Sequence, residues 1–503
     1  MRTSLNAILS AFSIVASTLS TLILLPMIQG SMGLEAYGYI GVAASFINMS
    51  TIASVAITSM AARFISLPLN RKCYDEANKY FNSIGLACSA LAVLFILLFI
   101  LVAANVQYIM RISPAMVYQV RILILVLAGS LCCTVLKTPF IAALYSSNRL
   151  YIDYFFIGMS QIARVAVPWL LFPCLGASIW LPYAGAFVVD VCMVLFHLAS
   201  FKRFTPQLSI SHRFMHISYI RELLQTGMWV SIQKAGSSLL TTISLYLGNL
   251  YVGPFLSGVF NSITQLQSFM GVYINAVVNL YVPYLYRAYS NDEAAVRSSM
   301  GRGFEYVGIA AGSMFGGIAA LAVPFLSFWT GTDMAPYAPC IGIMIFYPVI
   351  TYASELFGQF FIAEKVVKIP GVSTIVFGFV NVGLTAVLCG GFKLGLIGLA
   401  AAQALSLVIR NYLVTVLYAS RLLRSSYFEW VNKSAFSLKL GTISCIAGIV
   451  LQRLVPATTL IVMLAEGFLA VIVGVASGVL MLPKSERHLV LSRFGLVSKR
   501  KEA

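Results

Sequence analysis

The sequence predicts an all-α, polytopic membrane protein with fourteen transmembrane helices. The chain of 503 residues is 60% hydrophobic and only 10% charged, whereas soluble domains carry about 25% charged residues. Its long apolar stretches each exceed the roughly 17–20 residues that a helix needs to cross a bilayer. Segments this hydrophobic cross as helices, because the strands of membrane barrels are short and alternate in polarity. The predicted spans are 6–30, 37–60, 81–109, 122–146, 150–174, 177–200, 225–251, 255–283, 305–329, 336–362, 370–391, 394–419, 437–454 and 457–482.

The basic residues predict the orientation of these spans. Of the 33 lysines and arginines, 25 lie in alternate gaps, four in the opposite gaps and four inside spans. Cytoplasmic loops carry such an excess of positive charge, so we expect a bacterial inner-membrane protein with both termini in the cytoplasm. The first span, from about Asn6, lacks a small-residue cleavage site and is expected to be retained. The net charge of +17 is therefore explained by the membrane and not by nucleic acid.

An internal repeat predicts how the spans are organised. Gly33 to Gly38 and Gly253 to Gly258 have the same Gly-x4-Gly form, 220 residues apart, and each joins two spans. Repeats in the same topology predict two pseudo-symmetric six-helix lobes around a central cavity, followed by two additional helices. The predicted parts are an N-lobe at 1–200, a cytoplasmic connector at 201–224, a C-lobe at 225–419, helices 13 and 14 at 420–482, and a basic cytoplasmic tail at 483–503. The connector is expected either to be a plain link or to include an interfacial helix from His212 to Leu224.

Polar side chains follow one face of the eighth predicted span and part of the second. Buried amides are costly without partners, so this pattern favours helices that line a wet cavity able to bind a glycan. The alternative is helix–helix packing for the amides and an interfacial belt for the tyrosines. The candidate glycan-binding residues are Asn48, Asn261, Gln265, Tyr273, Asn275 and Asn279.

Four cations lie inside predicted spans, where an unpaired charge is expensive. They are Lys137, Arg164, Lys234 and Arg410, and Arg63 follows the second span. Together they are candidates for binding an anion such as a pyrophosphate, although long basic side chains also reach the interface by snorkelling.

Few acidic residues lie inside the predicted spans. Asp190 and Glu355 are candidate partners of these cations or candidate sites for a coupling ion, and Glu466 is expected to be structural or interfacial. The nine cysteines include no Cys-x-x-Cys pair, so we expect no metal, and no motif predicts a cofactor.

Two segments resemble a known family. Leu25 to Gly38 looks like the N-terminal signature of the polysaccharide-transporter branch of the multidrug/oligosaccharidyl-lipid/polysaccharide exporter superfamily. Leu247 to Phe260 looks like the corresponding segment in the second lobe of that branch. The resemblance implies an O-antigen flippase that moves an oligosaccharide on undecaprenyl pyrophosphate to the periplasmic leaflet by alternating access. Resemblance to lipid II flippases further implies that the last two helices form a groove for the lipid tail.

Two other functions in the same fold stay open, a lipid II flippase and a multidrug antiporter. The net-cationic interior counts against the antiporter, which exports cations. An enzyme is not expected, because the gaps on the outer side are short and carry no paired carboxylates. The implied partners are the lipid-linked oligosaccharide and membrane lipids, with a polysaccharide polymerase and a chain-length regulator as protein partners, and no nucleic acid.

Overall fold

The structure, a computed structural model, describes residues 2–146, 148–288, 293–455, 459–484 and 486–487. Most of the predicted basic tail, from residue 488 onward, lies outside the described residues. The first ten helices are α1 Arg2–Met32, α2 Leu34–Asn70, α3 Tyr74–Ala104, α4 Val106–Ile109, α5 Val117–Leu136, α6 Thr138–Ser146, α7 Tyr151–Leu175, α8 Leu181–Phe204, α9 Ile217–Ser237 and α10 Ile243–Val252. They are followed by α11 Pro254–Ala288, α12 Glu293–Thr330, α13 Ala338–Thr351, α14 Glu355–Ala363, α15 Lys368–Thr385, α16 Gly395–Arg410, α17 Leu417–Leu422, α18 Tyr427–Leu454 and α19 Leu460–Met481.

Most of these helices are long enough to cross a bilayer. Within the described residues, 13 helical segments have the length and hydropathy of membrane spans. The predicted seventh span, 225–251, is not among the 13. This part of the chain is helical from Ile217 to Val252 through a π turn at Ser238–Thr242, and the helix as a whole carries Arg221, Glu222 and Lys234. The all-helical, multi-pass membrane fold predicted from hydropathy is therefore confirmed.

The predicted repeat is visible in the backbone conformation. Gly33 and Gly253, which precede α2 and α11, have φ angles of 81° and 93°. Gly176 and Gly395, at the starts of the sixth and twelfth predicted spans, have φ angles of 80° and 57°. Side chains other than glycine rarely adopt such angles, so both pairs occupy equivalent positions with the same conformational requirement.

The second glycines of the two Gly-x4-Gly segments pack directly against each other. A Cβ atom on Gly38 would overlap the carbonyl oxygen of Pro254, and one on Gly258 would overlap the carbonyl oxygen of Leu34. Each glycine thus meets the backbone four residues before the other, as two-fold related helices do at a crossing. The amide of Asn261 lies beside this crossing and donates to the carbonyl oxygen of Tyr37 at 3.1 Å.

Two further features recur along the chain. Short 3-10 turns at Pro114–Met116 and Ala335–Tyr337 precede α5 and α13. Each of these helices is then interrupted, at Lys137 between α5 and α6, and at Tyr352–Ser354 between α13 and α14. We therefore take α5 and α6 as the counterparts of α13 and α14, and α8 as the counterpart of α16.

The described chain forms two compact units. The first contains Met1–Asn261, Trp329–Gly331 and Thr374–Gly395, and the second contains Ser262–Phe328, Thr332–Ser373 and Leu396–Ala503. In the first unit α1 packs on α7, α7 on α8, α2 on α9, and α3 on α5. In the second unit α18 packs on α19 and α13.

The connector after α8 is held by side chains of α3. The Asn78 side chain accepts from the backbone N–H of Ser209 at 2.7 Å and donates to the carbonyl of Gln207 at 2.9 Å. One turn later the Asn82 side chain bonds the backbone of Ser209 and Ser211 in the same way. The amides satisfy an extended segment as a neighbouring strand would.

The expected interfacial helix of the connector differs in the structure. A 3-10 turn occupies His212–Phe214, and the α-helix begins at Ile217 and runs directly into the seventh predicted span. The side chain of Ser83 accepts from the backbone N–H of His216 at 3.0 Å, immediately before that helix starts. The connector therefore ends by extending a span and does not form a separate helix.

Candidate functional site: a polar groove beside a buried lysine

A groove of about 370 Å³ lies between α2 and the α5–α6 pair in the first unit. Lys137 is the only charged residue among those that line it. The other lining residues carry hydroxyl or aliphatic side chains, and most of the exposed lining surface is apolar. The polar lining residues are Thr51, Ser54, Thr58, Thr134, Lys137, Thr138 and Tyr145.

Lys137 is placed by a break in the helix. The sequence Leu136-Lys137-Thr138-Pro139 ends α5 at Leu136 and starts α6 at Thr138. Proline has no N–H and its ring clashes with the preceding turn, so Pro139 disrupts the helical hydrogen bonds just before it. The backbone still turns at Lys137, whose N–H donates to the carbonyl of Cys133 at 3.0 Å.

The ammonium group of Lys137 is paired with a carboxylate. Its Nζ lies 3.0 Å from Oδ1 of Asp153 on α7 and 3.7 Å from the sulfur of Met193 on α8. Lys137 is 7% exposed and Asp153 is 9% exposed, so both charges are removed from solvent. A buried pair of this kind compensates its own desolvation only while both partners are present.

Two more titratable groups on α8 belong to the same cluster. The carboxyl of Asp190 interacts with the hydroxyls of Ser130 and Ser160 and with the charge of Lys137. His197 is 2% exposed and interacts electrostatically with Asp153 and Lys137. Met193 and His197 follow Asp190 by three and seven residues on the helix, so all three share a face.

Arg164 occupies a different place in the first unit. Its Nη2 donates to the hydroxyl of Tyr183 at 2.7 Å, and its guanidinium carbon lies 4.4 Å from the centre of the Tyr183 ring. Arg164 follows Asp153 by eleven residues on α7, which separates them by about 16 Å along the helix axis. The structure therefore does not bring Arg164 and the Lys137 cluster together.

Arg63 is exposed and lines a separate pocket of about 380 Å³. Glu76 and Glu222 line the same pocket, and the hydroxyl of Tyr80 donates to Glu222 at 2.9 Å. Arg63 thus lies among carboxylates and not among the other predicted cations. Lys234, on α9, is half-buried.

Arg410 lies in the second unit, at the last residue of α16 before a π turn at Asn411–Val416. It interacts electrostatically with Glu355, the first residue of α14. The Glu355 side chain is exposed and Arg410 is half-buried. Unlike Lys137 and Asp153, this pair is open at the surface of its unit.

The predicted glycan-binding residues divide into two groups. Asn261 is 2% exposed and bonded across the glycine crossing, so its amide packs helices together in this structure. Tyr273, Asn275 and Asn279 are exposed on α11 in the second unit, and Gln265 is half-buried there. Asn48 is exposed on α2, one turn before the groove residue Thr51.

Sequence reasoning did not assign a site role to Asp153 or His197. Asp153 stood out only as an acidic residue near the end of a span, and His197 was one histidine among four. The spacing of Asp190 and His197 on one helix face was the available signal. Their proximity to Lys137 depends on the packing of α7 and α8, which no local pattern encodes.

No protein-family model matches the chain. The "Uncharacterized membrane protein EpsK" of Bacillus subtilis (strain 168) is 28% identical over 501 residues, which are 98% of this chain and 98% of that protein. Among solved structures, an inward-facing multidrug resistance MATE family transporter of the MOP superfamily is similar with a TM-score of 0.68, at 13% identity over 84% of this chain and 98% of that one.

The lipid II flippase MurJ, in an inward closed conformation, gives the same TM-score of 0.68. Its identity is 15%, and the similarity covers 93% of this chain and 97% of that one. The chain therefore shares the fold of these MATE and MurJ structures. At these identities the similarity establishes the architecture, and the chemistry has to be argued from the residues.

Proposed function

We propose that the protein is a flippase that moves an undecaprenyl-pyrophosphate-linked oligosaccharide, an O-antigen or similar surface-polysaccharide unit, across the bacterial inner membrane. The observation that carries the proposal is the groove whose lining combines one lysine with several hydroxyl side chains. A phosphate group matches the lysine, and sugar hydroxyls match the threonines and Ser54. The proposed orientation places both termini in the cytoplasm, as the positive charge of alternate gaps favours.

Lys137 is the proposed phosphate ligand. In the structure its charge is compensated by Asp153 at 3.0 Å. An incoming phosphate competes with this carboxylate, because both are anions that accept from the same ammonium group. Release of the substrate lets the pair form again, which resets the site without any covalent step.

The direction of transport follows from charge. An anion moving outward in an inside-negative potential gains about 2.3 kcal/mol per charge per 100 mV. If Asp153 took up a proton whenever phosphate displaced it, that proton would leave the cell with the substrate and oppose the proton gradient. We therefore propose that this pair works without proton exchange and that any coupling ion uses Asp190 or Glu355.

The fold supports two other substrates for the same machinery. A lipid II flippase would use the same phosphate chemistry with a different glycan, and the similarity to MurJ over 93% of the chain favours this alternative. A multidrug antiporter would bind cations, and the similarity to the MATE transporter favours it at the level of fold. The lysine in the groove favours an anionic substrate over a cationic drug.

Reconstitution distinguishes these functions. The purified chain is placed in lipid vesicles with a labelled undecaprenyl-pyrophosphate oligosaccharide, with lipid II, or with a cationic dye. We expect flipping of the lipid-linked oligosaccharide that increases with an inside-negative potential in the direction of anion exit. Preferential flipping of lipid II would replace the glycan in the proposal, and dye transport without lipid flipping would overturn it.

A polysaccharide polymerase and a chain-length regulator are the proposed partners, since they act on the flipped unit. We also propose that the protein is a transporter and not an enzyme. Accumulation of finished lipid-linked units on the cytoplasmic side of cells that lack the protein supports both proposals. Accumulation of unpolymerised units outside would point to a polymerase instead.

A further inference from the structure

One buried carboxyl in the second unit has no role in the proposed transport cycle. Glu466 is the only charged residue in α19, whose mean hydropathy is 2.3. It is 4% exposed, and neither carboxylate oxygen has a hydrogen-bond partner among the described residues. A carboxyl in such surroundings is held far more readily as the neutral acid than as the anion.

Glu466 lies on the face by which α19 packs on its neighbours. Ala470, Gly474 and Gly478 follow it at intervals of four residues, and all are buried. A Cβ on Gly474 would overlap the hydroxyl of Ser444 on α18 and would lie 2.8 Å from that of Ser313 on α12. The helices therefore pack closely along this face, and both carboxylate oxygens of Glu466 are themselves buried.

Within the described residues, the neighbouring helices α12 and α18 place no positive charge in contact with Glu466. Next to Glu466, a Cβ on Gly467 would lie 3.4 Å from Leu321 of α12. The charged residues of the described part of α12 all precede Tyr306, which is about 22 Å from Leu321 along the helix axis. The charged and titratable residues of α12 and α18, the two helices that pack against α19, are Glu293, Arg297, Arg302, Glu305, Tyr306, Tyr427, Glu429, Lys433, Lys439, Cys445 and Arg453.

Of these residues, Arg453 lies nearest along the chain, at the end of α18, but it is exposed. On α18, Ala470 of α19 packs against Gly448, so the turn that follows Gly448 faces Glu466. Arg453 lies close to that turn, but in the described part of the chain neither Glu466 oxygen has a charged side chain of α12 or α18 as its partner.

The opposite end of the hairpin is fixed by ion pairs. Lys433 of α18 pairs with Glu305 of α12, and Arg302 of α12 lies 3.5 Å from Glu486, which follows α19. Tyr306 also donates to Glu486 at 2.7 Å. In the hairpin formed by α18 and α19, these ion pairs hold the end away from Glu466. A change at Glu466 would thus act on the other end of the hairpin, near the turn between the two helices.

We propose that Glu466 is a proton-binding site, neutral while α19 is seated on α12 and α18, and that loss of its proton to solvent loosens this end of the α18–α19 hairpin from α12. Deprotonation creates an anion that the close contact cannot hydrate, so the helix end must separate to admit water. The site links the position of the last two helices to pH. It does not depend on the identity of the transported substrate.

Infrared difference spectroscopy on the full chain in lipid vesicles tests the proton. Raising the pH is expected to remove a carboxylic acid C=O band that is absent from Glu466→Gln, which keeps the shape and stays neutral. Labelling glutamate with ¹³C in the wild-type chain should shift the same band, which assigns it even if the variant does not fold. Glutamate bands that are identical in both proteins, or a band that persists at alkaline pH, would overturn the proposal.

Disulfide trapping tests the movement. Leu321→Cys and Gly467→Cys place two thiols at the contact, and the linked peptide is quantified by mass spectrometry. We expect cross-linking to fall several-fold from mildly acidic to mildly alkaline pH, relative to the same pair in the Glu466→Gln background. An equal pH dependence in both backgrounds would show that the seam does not respond to Glu466.

Discussion

Two equivalent places in the repeat carry charges of opposite sign. In the first unit, Lys137 lies at the break between α5 and α6, and Asp190 lies on α8 fourteen residues after Gly176. In the second unit, Glu355 lies at the break between α13 and α14, and Arg410 lies on α16 fifteen residues after Gly395. The repeat therefore places charges at the same two elements in both units and exchanges their signs, although the ion pair of Lys137 is with Asp153 on α7.

The surroundings of the two pairs also differ. Lys137 is buried, its ammonium group is bonded to Asp153, and the residue lines a groove that also contains hydroxyl side chains. Glu355 is exposed, and its described interaction with Arg410 is purely electrostatic. The two units share this architecture but carry opposite charges, so the fold itself does not fix the sign of the charge at either position. The sign at each position can therefore serve function. The proposed anion site lies in the first unit for this reason.

Removal of one member of each pair should give the largest contrast. Lys137→Ala leaves Asp153 buried without its partner, which is expected to cost about 3–5 kcal/mol. Arg410→Ala removes the partner of a carboxyl that is already exposed and should cost about 1 kcal/mol or less. Thermal unfolding in detergent measures both, and equal losses of stability would contradict the distinction between a buried and an open pair.

The repeat itself is tested by its glycine crossing. Gly38→Ala and Gly258→Ala each bring a methyl group against a carbonyl oxygen of the other segment, and overpacking of this kind typically costs about 1–3 kcal/mol. Because the contacts are reciprocal, the two variants should be destabilised by similar amounts. Gly342→Ala is the control, since a Cβ there meets nothing within 4 Å. A large effect of only one crossing variant would show that the two segments are not equivalent.

A smaller effect is expected at Arg164, which the structure separates from the groove. Arg164→Lys keeps the charge but loses the planar stacking on Tyr183, which is worth about 0.5–2 kcal/mol. If Arg164 only packs against Tyr183, stability falls while flipping per folded molecule is unchanged. A loss of flipping without a loss of stability would instead make Arg164 a substrate ligand.

Helix type and repeat were predictable from the sequence, whereas side-chain partners were not. Hydropathy and glycine spacing indicate spans and turns because both act locally, and Gly33 and Gly253 adopt the conformation that the repeat predicts. The amide of Asn261 illustrates the limit. Its spacing predicted a wet polar face, but its contact is the backbone of Tyr37, more than two hundred residues away in the sequence.

The same limit applies to the candidate site. The sequence identified Lys137 because a charge within an apolar span is conspicuous. It did not identify Asp153 as the partner, because α7 meets the helix break only through tertiary packing. The sequence likewise places Arg164 inside a predicted span, whereas the direction of its side chain toward Tyr183 depends on α8.

Neutral replacement of each pair in a flipping assay tests the central claim most directly. Lys137→Gln with Asp153→Asn keeps a buried hydrogen-bonding pair and removes both charges, while Glu355→Gln with Arg410→Gln removes both charges of the open pair in the second unit. Lys79→Gln with Asp75→Asn, a partly exposed pair at 2.7 Å, is the matched control. Assays of reconstituted, folded protein should show at least tenfold slower flipping of the lipid-linked oligosaccharide for the Lys137 pair, and rates within about twofold of the parent for the control. Unchanged flipping by the Lys137 and Asp153 double variant would contradict the account.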